Sequence, residues 1–229
     1  MKYLAMLLAL VATPALANEK SLTITQFDRV RIEGNFLVEI VTGRGPSARI
    51  SGSEKAIDRT TVLSQGQTLF VRANHNVWGS EQDGDNVGPI TIRLTTAELR
   101  SASSSGSSVV KIDRMRGASV NVAQEGSGSL TIGSMEADTL DIGVVGAGNL
   151  TITGKAAQLH AGVRGAATLD ASLLAVSDLK LVTDGAAVVR ATARRSANIN
   201  ASGSGSIVIS GRPACTVVNK GSGSVVCGH

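Results

Sequence analysis

Two cysteines are the residues whose type and spacing point most directly to chemistry. Cys215 and Cys227 are separated by eleven residues and are the 2 cysteines of the chain. In an oxidising compartment such a pair usually forms a disulfide, and a functional thiol pair is the alternative. We therefore expect a Cys215–Cys227 disulfide.

The candidate recognition site is the segment 74–89, which reads NHNVWGSEQDGDNVGP. Trp78 is the single tryptophan, and Glu81, Asp83 and Asp85 follow it closely. An aromatic ring beside carboxylates can hold a sugar or a cation, so these four residues are the predicted ligand-binding set. The segment lacks the ligand spacing of a calcium loop that ends in glutamate. A plain solvated loop, with Trp78 folded back onto the protein, is the alternative.

The three histidines show no spacing that would build a catalytic or metal site. His75 lies in the same loop segment, His160 occupies an outward position between two apolar residues, and His229 is the last residue. Local structure cannot bring these side chains together. We predict no metal, no cofactor and no catalytic residue.

The first 17 residues have the features of a secretory signal peptide. Lys2 precedes an apolar run from Leu4 to Ala12, and an Ala-Leu-Ala sequence at 15–17 matches a cleavage site. The run is too short for a transmembrane helix, which needs roughly 20 residues. We expect cleavage after Ala17, no transmembrane anchor, and a periplasmic or secreted protein.

The charge of the mature chain is unremarkable. Cleavage removes Lys2 from the 22 basic residues, leaving 21 against 18 acidic ones, a net charge of +3. No basic run alternates with aromatic residues in the way that is typical of nucleic-acid binding. Nucleic acid is therefore not an expected partner.

A repeat runs through the C-terminal part of the chain. Glycine recurs at intervals of 20, 20, 19, 20, 18 and 18 residues. Each glycine heads a similar string, such as GSGSLTI, GAGNLTI and GSGSIVI. The predicted turn glycines are Gly106, Gly126, Gly146, Gly165, Gly185, Gly203 and Gly221.

Apolar pairs with a period of two follow every turn glycine and precede all but the first. One pair lies four and six residues after the glycine, as Leu130 and Ile132 do after Gly126, and another lies six and four residues before it. Polar residues separate the members of most pairs. This alternation predicts short strands with one buried face, and about 20 residues per turn predicts a parallel β-helix in which equivalent residues stack.

The residues after each glycine are small, as stacking at roughly 4.8 Å per turn requires. A positive φ at the glycine is the simplest reason for its recurrence. Three alternatives remain: a flexible linker, the calcium-binding nonapeptide β-helix, and a sandwich of hairpins. The nonapeptide form needs an aspartate after each glycine pair, and these turns have none.

The segment from Ser21 to Leu99 contains short alternating runs without the repeat. Solenoids cover their ends with atypical units because a bare terminal turn exposes unpaired amides. We therefore predict an N-terminal β-rich capping region over 18–99 and β-helix repeats over 100–229.

Several strings together resemble the GIN-domain family of auto-transporter adhesin heads. They are FDRV from Phe27, GNFLVEIVTG from Gly34, QTLFVRA, ITIRLTTAELRSASSSGSSVV and the GSGSLTI repeats. The resemblance covers about 26–227 as one continuous domain. It implies an all-β, parallel β-helix fold in a secreted or cell-envelope protein, and it supplies no catalytic residues.

The predicted function is a non-enzymatic, adhesin-like interaction protein of the envelope, with an envelope protein or a glycan as partner. A periplasmic carbohydrate-binding module centred on Trp78 is one alternative. A carbohydrate-active β-helix enzyme is another, although such enzymes need clustered carboxylates, usually with aromatic platforms. The repeats contain no aromatic residue.

The last turn of the coil is a predicted association surface. After it only Gly228 and His229 remain, and Lys220 is the single charged side chain after Arg212. An uncovered turn offers amides and carbonyls to another chain. We therefore expect self-association through the C-terminal rung, which is this last turn of the coil, or pairing with a strand of a partner protein.

Overall fold

The computed structural model describes residues 18–74 and 90–228. Strands make up most of this part of the chain, and one short helix, α1 (Glu54–Asp58), follows the fourth strand. The strands are β1 (Asn18–Leu22), β2 (Arg29–Gly34), β3 (Leu37–Thr42), β4 (Ser47–Gly52), β5 (Thr60–Gln65), β6 (Thr68–Ala73), β7 (Thr91–Thr96), β8 (Ser101–Gly106), β9 (Val109–Ile112), β10 (Met115–Gly126), β11 (Ser129–Gly146), β12 (Asn149–Gly165), β13 (Thr168–Asp184), β14 (Val188–Ser202), β15 (Ser206–Ser210), β16 (Ala214–Asn219) and β17 (Ser224–Cys227).

The C-terminal part is a parallel β-helix, which confirms the predicted fold class. Strands β10 to β14 pair in parallel, each with the strand one turn later, and the turn glycines stay in register from one rung to the next. Here a rung is one turn of the coil. Because every rung repeats the same phase, each apolar pair stacks on the equivalent pair and the core runs continuously along the axis.

Each central rung has three inward-facing segments. In β11 they carry Leu130 and Ile132, then Met135 and Ala137, then Leu140 with Ile142 and Val144, all of them buried. The pairing register shifts between the first and second segments. The sequence repeat predicts the first and third segments, and the middle segment joins them into a single bent strand.

The N-terminal region both extends and caps the coil. Strands β2 and β3 pair in parallel with β8 and β9 on one side and with β6 and β7 on the other. Gly34 is in register with Gly106, one rung below the first glycine of the repeat. Strands β5 and β4 then pair antiparallel with β6 and β7, and β1 pairs antiparallel with β4.

The turn leaves no room for side chains. Gly146 has a φ of 108°, and a Cβ atom added there would lie 2.6 Å from the carbonyl oxygen of Gly126 in the previous rung. Gly106, Gly126, Gly165, Gly185 and Gly203 also have positive φ. Gly221 does not, but a Cβ there would lie 1.9 Å from the oxygen of Gly203. At this last turn close approach, rather than φ, requires glycine.

The disulfide between Cys215 and Cys227 is present and confirms the prediction from spacing. It joins β16 to β17 across the last rung, with the two Cα atoms 6.4 Å apart. Both cysteines occupy inward positions, yet Cys215 is exposed because no further rung in the described chain lies over it. The disulfide therefore spans the open end of the coil.

Candidate functional site

The third segment of each rung contributes outward side chains that stack into rows. One row, which we call the polar row, is Ser101, Asn121, Asp141, His160 and Lys180 on five successive rungs. Two residues further along each strand lies a second row, which we call the small row: Ser103, Ala123, Gly143 and Gly162. Parallel pairing in register places each member directly beside the equivalent residue of the next rung.

The small row forms the floor of a groove. An open concavity of about 620 Å³ is lined by the polar row and the small row, with Arg31 and Val182 at the two ends of the small row and Glu125 at its margin. A Cβ atom at Gly143 would meet no atom within 4 Å, and one at Gly162 would meet only the Ile142 oxygen at 3.9 Å. The groove thus exists because side chains are missing on its floor, while the walls carry polar groups.

Among the described residues that line the groove, Asp141 and His160 are the one pair of side chains bonded to each other. Their Oδ1 and Nδ1 atoms are 3.2 Å apart, and each side chain is about half exposed, at 45% and 48%. The contact orients the imidazole ring so that its other nitrogen, Nε2, is directed away from the carboxylate. A ligand in the groove can therefore meet a second carboxylate oxygen and a free ring nitrogen.

The other charged groups of the groove have no side-chain partner in the described chain. Arg31 and Lys180 are exposed and form neither a hydrogen bond nor an ion pair through their side chains, and the Glu125 carboxylate and the Asn121 amide are likewise unpaired. Their hydrogen-bonding capacity is therefore available to a ligand without the loss of an internal bond.

A second concavity, of about 690 Å³, lies over the middle segments of the rungs and has a different electrostatic character. Two of its three cations are paired: Lys155 Nζ lies 2.8 Å from Glu136 Oε1, and Arg116 approaches Glu98, which does not line the concavity, at 3.9 Å. The hydrogen bond and charge of Lys155 lower the pKa of the Glu136 carboxyl. Binding here would compete with these existing pairs.

Asp178 is the most perturbed carboxylate in the described residues. Its two oxygens accept hydrogen bonds from Arg195, and Ser196 Oγ donates to Oδ1 at 2.7 Å. These bonds favour the charged form and lower the pKa of Asp178 to about 2. These hydrogen bonds link β13 to β14 where the pairing register shifts, so the role of Asp178 is structural.

The predicted ligand-binding residues Trp78, Glu81, Asp83 and Asp85 lie outside the described residues, so that assignment stays a prediction. Sequence reasoning placed His160 outward but did not connect it with Asp141, Gly143 and Gly162. The available signal was the set of outward positions at equal offsets from each turn glycine. Arg31 gave no such signal, because its rung precedes the recognised repeat.

Within residues 18–74 and 90–228, no helix has the length and apolarity needed to cross a membrane. In the same ranges no three or more His, Cys, Asp or Glu side chains converge to hold a metal ion.

Solved structures with the same architecture come from species of Bacteroides and Parabacteroides. A "putative adhesin" from Bacteroides fragilis is 19% identical, with a TM-score of 0.82 over 94% of this chain and 98% of that one. A "putative adhesin" from Parabacteroides merdae is 15% identical, with a TM-score of 0.73 over 92% and 95%. A "putative lipid binding protein" from Parabacteroides distasonis is 17% identical, with a TM-score of 0.70 over 92% and 96%. At these identities the likeness shows the fold.

No curated protein matches the sequence. A family model does: the one described as "putative auto-transporter adhesin, head GIN domain" matches residues 26–213. That range includes strands β2 to β15, and therefore both the N-terminal region and the repeats up to the rung before the C-terminal one. The chain therefore belongs to the GIN-domain family of auto-transporter adhesin heads.

Proposed function

We propose that this protein is a non-enzymatic, adhesin-like binding protein that acts outside the cytoplasm, and that the groove over the polar and small rows binds its partner. The family and the disulfide fit an extracytoplasmic protein. The observation that carries the proposal is the groove itself, in which unpaired polar side chains line a floor without bulky side chains.

A glycan chain is the ligand class that the groove fits best. Asn121, Asp141, His160 and Lys180 present donors and acceptors at intervals of one rung, roughly 4.8 Å, along a straight line. A chain of hydroxyl-bearing sugar rings can bond to such a ladder at several successive rungs. The many weak bonds of an extended ligand add together, as they do in other solenoid binding surfaces.

The charges of the groove favour a neutral glycan. Arg31 and Lys180 are balanced by Glu125 and Asp141, so these four charges sum to zero. The two carboxylates would repel a uniformly acidic polymer, and the two cations would repel a uniformly basic one. We therefore expect weak dependence of binding on salt concentration.

Catalysis is not part of the proposal. The family and the related structures are named as adhesins or binding proteins.

The loop with Trp78, Glu81, Asp83 and Asp85 remains a second candidate surface for a carbohydrate-binding module. An aromatic ring beside carboxylates is suited to one sugar ring, whereas the groove is suited to a chain. The Trp78→Ala variant tests this second surface, and a variant of the groove floor tests the first.

A glycan array probed with residues 18–229 tests the groove. The Gly143→Gln variant fills the floor with a neutral side chain, and because a Cβ there meets no atom within 4 Å the fold is not strained. Thr131→Gln is the matched control, since Thr131 is an exposed outward residue on the first segment of the same strand. Both variants should melt at the wild-type temperature.

We expect the control to bind as the wild type does, and Gly143→Gln to lose at least about tenfold in affinity for the glycan identified on the array. Equal affinity of the two variants would contradict the assignment of the groove. Loss of binding in Trp78→Ala alone would transfer the site to the loop.

A further inference from the structure

The C-terminal rung carries an unfinished surface that is separate from the groove. Strand β16 pairs with β14 and strand β17 pairs with β15, and among the described residues no strand pairs with their other edges. All six residues of β16 are exposed. Both sides of the coil thus end in a free strand edge.

The free backbone groups can be assigned to particular residues. Lys220 donates its N–H to Ala201 O at 2.8 Å, and Ser224 donates to Gly205 O at 3.0 Å, so both are directed back toward the previous rung. Successive residues of a strand direct their backbone groups to opposite neighbours. The amides and carbonyls of Cys215, Val217 and Val225 are therefore directed away from the protein.

Apolar side chains accompany these free groups. Val217 faces inward on the terminal rung and is nevertheless 41% exposed, because no rung of the described residues lies over it. Val218 and Val226 face outward on the same rung and are 46% and 48% exposed. The end of the coil therefore offers both unpaired hydrogen-bonding groups and uncovered aliphatic surface, the combination that natural sheet edges avoid unless they pair.

We propose that this end is the dimerisation surface of the protein, and that its partner is the same rung of a second copy. The rung has two free edges, and the Cys215–Cys227 disulfide fixes their separation, with 6.4 Å between the Cα atoms. A single foreign strand can pair with only one of the two edges. A second terminal rung has two edges at the same separation and can pair with both.

Two-fold symmetry makes this contact self-complementary. The two sides of a coil run in opposite directions, so a two-fold axis perpendicular to the coil axis sets each free edge against an antiparallel partner. The inward-facing Val217 and Val225 of each copy then cover the open core of the other. The result is a closed dimer in which neither C-terminal edge remains free.

The charges predict an unusual salt dependence. From Gly211 to Gly228 the charged side chains are Arg212 and Lys220, both cationic. Two-fold symmetry brings cations of both copies to one interface, and their repulsion weakens as salt screens it. The dimer should therefore tighten with salt, whereas an interface held by ion pairs would loosen.

Analytical ultracentrifugation of residues 18–229, from about 1 µM to about 1 mM, tests the proposal. We expect a monomer–dimer equilibrium whose Kd falls when the salt concentration rises from about 0.05 M to about 0.5 M. Val217→Lys should raise Kd at least about tenfold. Val145→Lys is the matched control, since Val145 is an outward residue in a fully paired rung and is 45% exposed; its Kd should equal that of the wild type.

Folding of each variant is checked by circular dichroism, and Val226→Lys replaces Val217→Lys if the latter does not fold. A wild type that stays monomeric at about 1 mM would overturn the proposal. So would a dimer that Val145→Lys weakens as much as the terminal-rung variant, or one that dissociates as salt is added. Glycan binding in the groove is scored separately and does not affect these outcomes.

Discussion

Replacement of Gly146 by alanine, compared with replacement of Gly143 in the same strand, tests the architecture most directly. The two positions are three residues apart and receive the same methyl group. Gly146 has a φ of 108° and stacks directly on Gly126, whereas Gly143 faces the open groove. The pair therefore isolates the effect of the stacked turn from the general effect of adding a methyl group.

Two costs act at Gly146. A non-glycine residue held in this region of φ costs about 1–3 kcal/mol. The new Cβ would also lie 2.6 Å from the Gly126 oxygen, a backbone atom that cannot move without shifting its rung, and such overpacking costs about 1–3 kcal/mol. We expect Gly146→Ala to lower the free energy of unfolding by about 2–6 kcal/mol.

The expected sign at Gly143 is the opposite. Its φ is not positive and a Cβ there meets no atom within 4 Å, so alanine adds no strain. The methyl group restricts the unfolded chain, which stabilises a protein by about 0.4–1 kcal/mol where the native conformation is compatible. Gly143→Ala should be neutral or slightly stabilising.

Thermal unfolding followed by far-UV circular dichroism measures both effects. For a chain of this size about 1 kcal/mol corresponds to about 2–4 °C, so Gly146→Ala should melt at least about 4 °C below the wild type. Gly143→Ala should melt at or above the wild-type temperature. Equal melting temperatures of the two variants would refute the stacked-turn geometry.

Three further predictions concern single groups. Gln124 is fully buried and its Oε1 has no partner among the described atoms, so Gln124→Met should raise the unfolding free energy by about 1–2 kcal/mol, seen as a higher melting temperature. Cys227→Ala opens the disulfide loop to Cys215 and should cost about 3 kcal/mol in the chain-entropy model, measured by urea unfolding; an unchanged midpoint would contradict it. Arg195→Gln removes the main cause of the low pKa of Asp178, so an NMR titration should show that pKa rising from about 2 toward 3.8. Because the folded pKa is the lower one, the stabilisation from this pair is complete above pH 3.8 and is lost as pH falls toward 2.

Much of the fold could be predicted because its rules are local and repeated. Leu130 and Ile132 stand at fixed offsets from Gly126, and the same offsets recur in every repeat, so the inward positions and the turn follow from counting. Gly34 satisfies the same rule, since Val38 and Ile40 lie four and six residues after it, but its distance from Gly106 hides the match.

The order of the rungs could not be counted in this way. The chain first forms the rung of β2 and β3 and then the antiparallel strands β4 and β5. Strands β6 and β7 then pair with β2 and β3 on the edge that faces away from the repeats. An alternating strand pattern specifies which side chains are buried, but the identity of the paired strand depends on contacts between distant segments. Capping and extension of the coil are therefore interleaved in one stretch of sequence.

The sequence by itself determined the parallel coil, its glycine turns and the disulfide, because each depends on residue type at a regular spacing. Only the tertiary structure decided that Asp141 and His160 meet, and that Gly143 and Gly162 together make a floor. Along the chain these are ordinary outward residues about 20 positions apart. Stacking at one rung per turn converts that separation into direct contact, and a groove exists only after several rungs have stacked.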